Sequence, residues 1–152
     1  MDANAMDVIF LGTLAPGFAL GLSAIGSAIG MGIAGTAAIG GAKRCLKGNR
    51  PVPMLMLTFV GFPLTQIIYG FIIMQQMMGI TVSTDNAGQL FGFGVASGLA
   101  VLATAAFQGQ AGAAACDSLS DTGKGMAFYI AILGIIETIA LFTMVFTITN
   151  IG

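Results

Sequence analysis

The stretch Ala127–Asn150, AFYIAILGIIETIALFTMVFTITN, carries one charged residue, Glu137, in a run long enough to cross a bilayer. Glu137 is also the only glutamate in the chain. An acidic side chain at the centre of a membrane helix costs roughly 3 kcal/mol on insertion scales, so a carboxyl retained there reads by default as an ion or proton site.

The rest of the chain fits the same setting. Of its 152 residues 57% are hydrophobic and 7% charged, with no Trp or His, which lies far outside the soluble globular range. Apolar segments at about 8–41, 53–80, 87–116 and 125–150 are separated by short polar loops. The expected fold is therefore an all-α membrane protein of four transmembrane helices, arranged as two helical hairpins over residues 1–83 and 84–152. Four spans leave no room for a soluble catalytic domain.

Charge sets the expected orientation. Lys43, Arg44, Lys47 and Arg50 fall between the first and second segments and Lys124 between the third and fourth, so loops 42–52 and 117–124 should face the cytoplasm. Both termini and the Thr81–Asn86 loop then lie outside, where Asp2, Asp7 and Asp85 are the only charges. The first segment has no basic region before it and is much longer than a signal core, so it is expected to stay in the mature protein. Cys45 and Cys116 show no metal-ligand spacing and read as free thiols. The basic first loop satisfies the positive-inside rule, and it is also the stronger docking face for anionic lipid or an acidic partner.

The two hairpins look duplicated. The second segment reads Gly61-Phe62-Pro63-Leu64-Thr65-Gln66-Ile67-Ile68-Tyr69-Gly70-Phe71, the fourth Ile132-Leu133-Gly134-Ile135-Ile136-Glu137-Thr138-Ile139-Ala140-Leu141-Phe142, and Gln66 occupies the slot of Glu137. Each lies 13 residues from a cytoplasmic helix start, Pro53 or Lys124, which is ~20 Å of depth. The first and third segments are instead dense in small residues: Gly17/Gly21, Ser23/Ser27, Ala24/Ala28 and Gly26/Gly30, then Gly88/Gly92, Gly94/Gly98 and Gly109/Ala113. This spacing lets backbones approach closely. Two slim helices paired with two bulky ones make a wedge that suits a ring with the slim helices inside.

These features resemble the duplicated proteolipid, the c- or K-type rotor-ring subunit of vacuolar-type rotary ATPases. The likeness rests on the four-helix duplication, Gly30-Met31-Gly32-Ile33-Ala34-Gly35 at the end of the Gly-rich first helix, Ile136-Glu137-Thr138 in the fourth, and Gln66 where the second hairpin has its acid. It implies a closed ring of identical subunits in the membrane, one coupling ion per subunit on the buried carboxylate, and rotation past a stator membrane subunit. A central stalk would link the ring to a peripheral ATPase sector. The chain itself has no phosphate-binding Gly-Lys-Ser/Thr loop, so it would not hydrolyse ATP. The resemblance also implies a prokaryotic plasma membrane, membrane lipids as neighbours, no nucleic acid and no organic cofactor.

Residue chemistry bears on which ion. Phe62, Thr65, Gln66 and Tyr69 stand at i, i+3, i+4 and i+7, on one helix face. Pro63 removes a backbone donor and loosens the turn before it. Gln108 lies nine residues, ~14 Å, before Asp117, near the level of Glu137. A hard cation such as Na⁺ wants several oxygens of this kind, whereas a proton needs only Glu137.

In Na⁺-carrying members the site resembles Pro-x-Thr-Gln-x-x-Tyr, a Gln before Gly, and the Glu. Here these are Pro63, Thr65, Gln66 and Tyr69, then Gln108-Gly109, then Glu137. The resemblance thus implies Na⁺ at Glu137, Gln66, Thr65, Gln108 and the Phe62 carbonyl, with Tyr69 hydrogen-bonded to Glu137. Leu64, Ile67 and Ile68 depart from the pattern in packing more than in ligation. Two alternatives remain: the same ring carrying H⁺, with protonated Glu137 donating to Gln66 or Tyr69, and a small four-helix ion or drug antiporter. Gln110, Thr138 and Thr143 read as interhelical hydrogen-bond partners.

Overall fold

Hydropathy marks where a chain is apolar, while helix propensity and pairing decide where a helix stops. The computed structural model describes residues 3–151, which are mostly helical and contain no strand. Helix α1 covers Ala3–Lys47. Helix α2, Met56–Gly61, runs through a 3-10 turn at Phe62–Leu64 into α3, Thr65–Met78. Helix α4 covers Ala87–Thr122 and α5 Met126–Asn150. Four helical spans, with α2 to α3 as one, are long and apolar enough to cross a membrane.

The inner helices outrun their apolar segments. At 45 residues α1 is ~68 Å long, about twice the hydrocarbon thickness, so its last turns stand clear of it. The expected loops 42–52 and 117–124 are therefore corrected: Lys43, Arg44 and Lys47 lie on α1, Asp117 and Asp121 on α4, and the non-helical connections shrink to about 48–55 and 123–125. Ala, Lys, Arg and Leu around residues 42–47 are strong helix formers and carry α1 past its apolar stretch. The end of α4 is held by pairing: Arg44 bridges to Asp117 and to Asp121 (3.2 Å) and donates to Ser120 Oγ (2.9 Å). Asp2 lies outside the described residues.

Helix α4 closes on Gly123, whose φ of 65° is left-handed and whose N–H donates to the Leu119 carbonyl (2.9 Å). Nothing lies near the position of its absent Cβ, so Gly123→Ala carries only backbone strain, about 1 kcal/mol. A correspondingly lower Tm of the detergent-solubilised protein is expected.

α1 and α4 run in the same direction and touch from Gly12 against Ala87 to Gly41 against Ser120. Small residues make the seam. A Cβ on Gly26 would meet the Leu102 backbone at 2.5 Å, one on Gly30 the Ala105 carbonyl at 2.3 Å, and one on Gly109 the Gly30 backbone at 2.3 Å. Gly17 and Gly21, expected to share this packing, do not: no atom of this chain lies within 4 Å of their would-be Cβ positions. Spacing of four residues puts small residues on one face without saying which face meets the neighbour.

Two apolar clusters build the interior, one around Phe59, Cys116 and Leu133, the other around Ala19, Ile73 and Leu90. Between them along the helices lies a buried polar layer that includes Ser27, Gln66, Thr104 and Gln108. Cys45 and Cys116 are buried free thiols beside the carbonyls of Ser120 and Met56. Helix α5 is the most peripheral span and exposes Phe128, Ile132, Ile135, Ile139, Phe142 and Phe146. Such a face suits lipid or another membrane protein.

Candidate ion-binding site

Proline shapes the second span at the depth of the acid. Pro63 has no N–H, and the chain tightens into the 3-10 turn, with the Thr65 N–H donating to the Phe62 carbonyl. The carbonyl that loses its usual i+4 donor is that of Phe59, which faces Gly112 of α4 and not the acid. The Phe62 carbonyl, expected as a ligand, lies beside the site: Thr65 Oγ1 is 2.8 Å from it and 2.6 Å from Glu137 Oε1. Tyr69 donates its hydroxyl to the same carboxylate oxygen at 2.8 Å. Thr65 and Tyr69 thus grip Glu137 from one helix turn; the Tyr69 bond is the one the resemblance implied, while Thr65, expected as an ion ligand, bonds the carboxylate directly.

Gln66 occupies a different face. Its Nε2 donates to Gln108 Oε1 (3.0 Å), and Gln108 Nε2 donates to the Leu133 carbonyl of α5 (3.0 Å). Both amides are fully buried. A backbone carbonyl can only accept, so Gln108 must turn its nitrogen toward Leu133, present its oxygen to Gln66, and thereby compel Gln66 to donate. The sense of the relay is fixed from one end. What it leaves over is Gln66 Oε1, a buried oxygen with no hydrogen-bond partner.

The site therefore joins three spans: Thr65, Gln66 and Tyr69 on α3, Gln108 on α4, and Glu137 on α5 one helical turn beyond Leu133. Gln66 does not bond Glu137 directly. Thr138 and Thr143 turn back onto the carbonyls of Ile135 and Ile139 in their own helix, and Gln110 is exposed, so the interhelical role expected of all three is corrected. Among the described residues no three His, Cys, Asp or Glu side chains gather to hold a metal. Any cation here would depend on one carboxylate and neutral oxygens.

Residues 14–77 and 91–149 match the family model for the ATP synthase C subunit. The chain belongs to the ATP synthase C-subunit family. It is also 30% identical over 151 residues to the A-type ATP synthase subunit K of Methanocaldococcus jannaschii, an alignment that takes in 93% of this chain. The chain spans 66% of that relative's length. In this member of the ATP synthase C-subunit family the two matched stretches differ at the membrane centre, where the first places Gln66 and the second Glu137. Sequence reasoning did not find the Leu133 carbonyl, because a backbone acceptor leaves no mark in side-chain identity.

Proposed function

We propose that the chain is the ion-carrying rotor subunit of the membrane sector of a V- or A-type rotary ATPase and that its cargo is Na⁺. The observation that carries this reading is the unsatisfied, buried Gln66 Oε1 at the level of an intramembrane carboxylate. Glu137 supplies the charge, while Thr65 Oγ1, Gln66 Oε1, Gln108 Oε1 and the Phe62 carbonyl supply neutral oxygens of the type a hard cation takes. Tyr69 holds the carboxylate in place. Identical subunits would close a ring through the exposed faces of α1, α3 and α5, including the open sides of Gly17 and Gly21. A stator membrane subunit would exchange the ion, and stalk subunits would grip the basic end. Family membership leaves the antiporter reading without support, and the chain's role is carriage, with hydrolysis in the peripheral sector.

Thr65 favours keeping H⁺ as the second reading. Its single hydroxyl proton lies within reach of both the Phe62 carbonyl and Glu137. An ionised Glu137 receives that proton. A protonated Glu137 donates to Thr65, which then donates to Phe62, so the same atoms serve either state.

Carbodiimide labelling of Glu137 in the purified ring separates the two, because the protonated carboxyl is the reactive form. Na⁺, and not K⁺, is expected to slow labelling, with the protection fading as pH falls and protons displace the ion. Labelling indifferent to Na⁺ at every pH would establish the proton reading.

A further inference from the structure

Only two buried side-chain polar atoms among the described residues lack a hydrogen-bond partner: Gln66 Oε1 and Ser27 Oγ. Ser27 is 2% exposed and Gln66 0%. Leaving a buried donor or acceptor unpaired is costly, so two in one layer call for a physical account.

The register of α1 against the second span supplies it. The would-be Cβ of Gly70 meets Ser23, and that of Gly30 meets Pro63, so the two helices pack antiparallel with these pairs opposite. Ser27 lies four residues after Ser23 and three before Gly30. Gln66 lies four before Gly70 and three after Pro63. The two bracketing contacts therefore set Ser27 and Gln66 opposite each other across the interface.

Their chemistry is complementary. The amide relay from Leu133 commits Gln66 Nε2 to Gln108 and leaves its Oε1 as an acceptor. Ser27 has a hydroxyl proton to give. Several buried hydroxyls elsewhere in the bundle return that proton to a carbonyl of their own helix, Ser23 to Ala19, Ser97 to Phe93, Thr104 to Ala100 and Ser120 to Asp117. Ser27 makes no such bond. The two atoms do not bond each other in this structure, and their register leaves an uncommitted donor opposite an uncommitted acceptor.

We propose that Ser27 is a positioning residue of the ion site, its hydroxyl turning from the unbonded position it holds here to donate to one lone pair of Gln66 Oε1 and leave the other for the cation. A carbonyl oxygen has two such sites, so donor and ion are compatible. With the nitrogen held by Gln108 and the oxygen by Ser27, the amide is fixed at both ends before the ion arrives. This assignment rests on the ion-carrying reading for its functional effect, but the proposed Ser27–Gln66 bond is testable whichever ion is carried.

The test uses the intact purified ring and two readouts. Ser27→Ala is expected to weaken Na⁺ protection of Glu137 against carbodiimide about five-fold, the size of one ordinary hydrogen bond. Infrared difference spectra of rings labelled with [5-¹³C]glutamine should show one side-chain amide carbonyl band moving to higher frequency in Ser27→Ala. That shift should be absent when the same substitution is made on a Gln66→Ala background. An unmoved band overturns the proposal, even if Na⁺ protection changes, because the effect would then be packing alone. A moved band with no Na⁺ protection in the unsubstituted ring upholds the Ser27–Gln66 bond and removes the Na⁺ reading. A moved band with unchanged Na⁺ protection refutes the positioning role.

Discussion

Glu137→Gln is expected to reduce carbodiimide labelling to background and to abolish ion-coupled turnover of the assembled complex, while the folded subunit persists. The amide retains an oxygen for Tyr69 and Thr65, so the hydrogen bonds now made to Oε1 have a successor at the same atom. Polar contacts between membrane helices average about 0.6 kcal/mol, and exchanging one for another changes stability by no more than that order. What vanishes is the charge. No other acid stands near the membrane centre, since the remaining five are Asp2, Asp7, Asp85, Asp117 and Asp121, all close to helix ends or the chain start. Helical content by circular dichroism and ring size in detergent should match the unsubstituted protein. Persistent labelling would move the carrier elsewhere; loss of the fold would make the carboxylate structural.

The largest stability effect is expected from Gly109→Val. The first atom added would sit 2.3 Å from Gly30 Cα and from its carbonyl oxygen. Those are backbone atoms of a helix held against α4 along most of its length, so no side-chain rotation relieves the overlap. Overpacking of this kind costs about 3 kcal/mol or more. Gly30→Val meets the same wall from the opposite side, through the Ala105 carbonyl. Both variants are expected to be recovered in low yield and to unfold at markedly lower temperature. In the isolated subunit, Gly17→Ala should not, because its face is open there. Equal stability of Gly109→Val and Gly17→Ala would mean that α1 and α4 do not meet at this seam.

Much of this was legible in the chain alone, for identifiable reasons. Membrane spans announce themselves because the bilayer core admits few charges over ~20 residues, and Glu137 stands out against that background. Helical spacing put Thr65 and Tyr69 on one face, the family resemblance implied the Tyr69 bond to Glu137, and the bond from Thr65 to that carboxylate was not foreseen. The partner of Gln66 did not follow, because depth places a side chain on a level without telling which neighbour on that level it reaches. Gln108 was chosen for its level, and its tie to Leu133 could not be read from side chains. Gly26 and Gly30 were grouped with Gly17 and Gly21 by a spacing that all four satisfy, and only the packing of α1 on α4 divides them. Ser27 was one small residue among many, and its unspent proton is visible only once its relatives in the bundle are seen to have used theirs.

The helix bearing Glu137 is the most peripheral of the four spans, yet it is fastened near both extremities. Tyr129 OH shares a proton with Ser118 near its start, and the Asn150 carbonyl receives Gln89 Nε2 at its end. With both ends moored, the proposed loading and unloading would not require the helix to leave the bundle. The inexpensive motion is torsion of the Glu137 side chain away from Thr65 and Tyr69. A gate of that kind would be a single swinging arm on a stationary post, working on the timescale of a rotamer change and not of a domain movement.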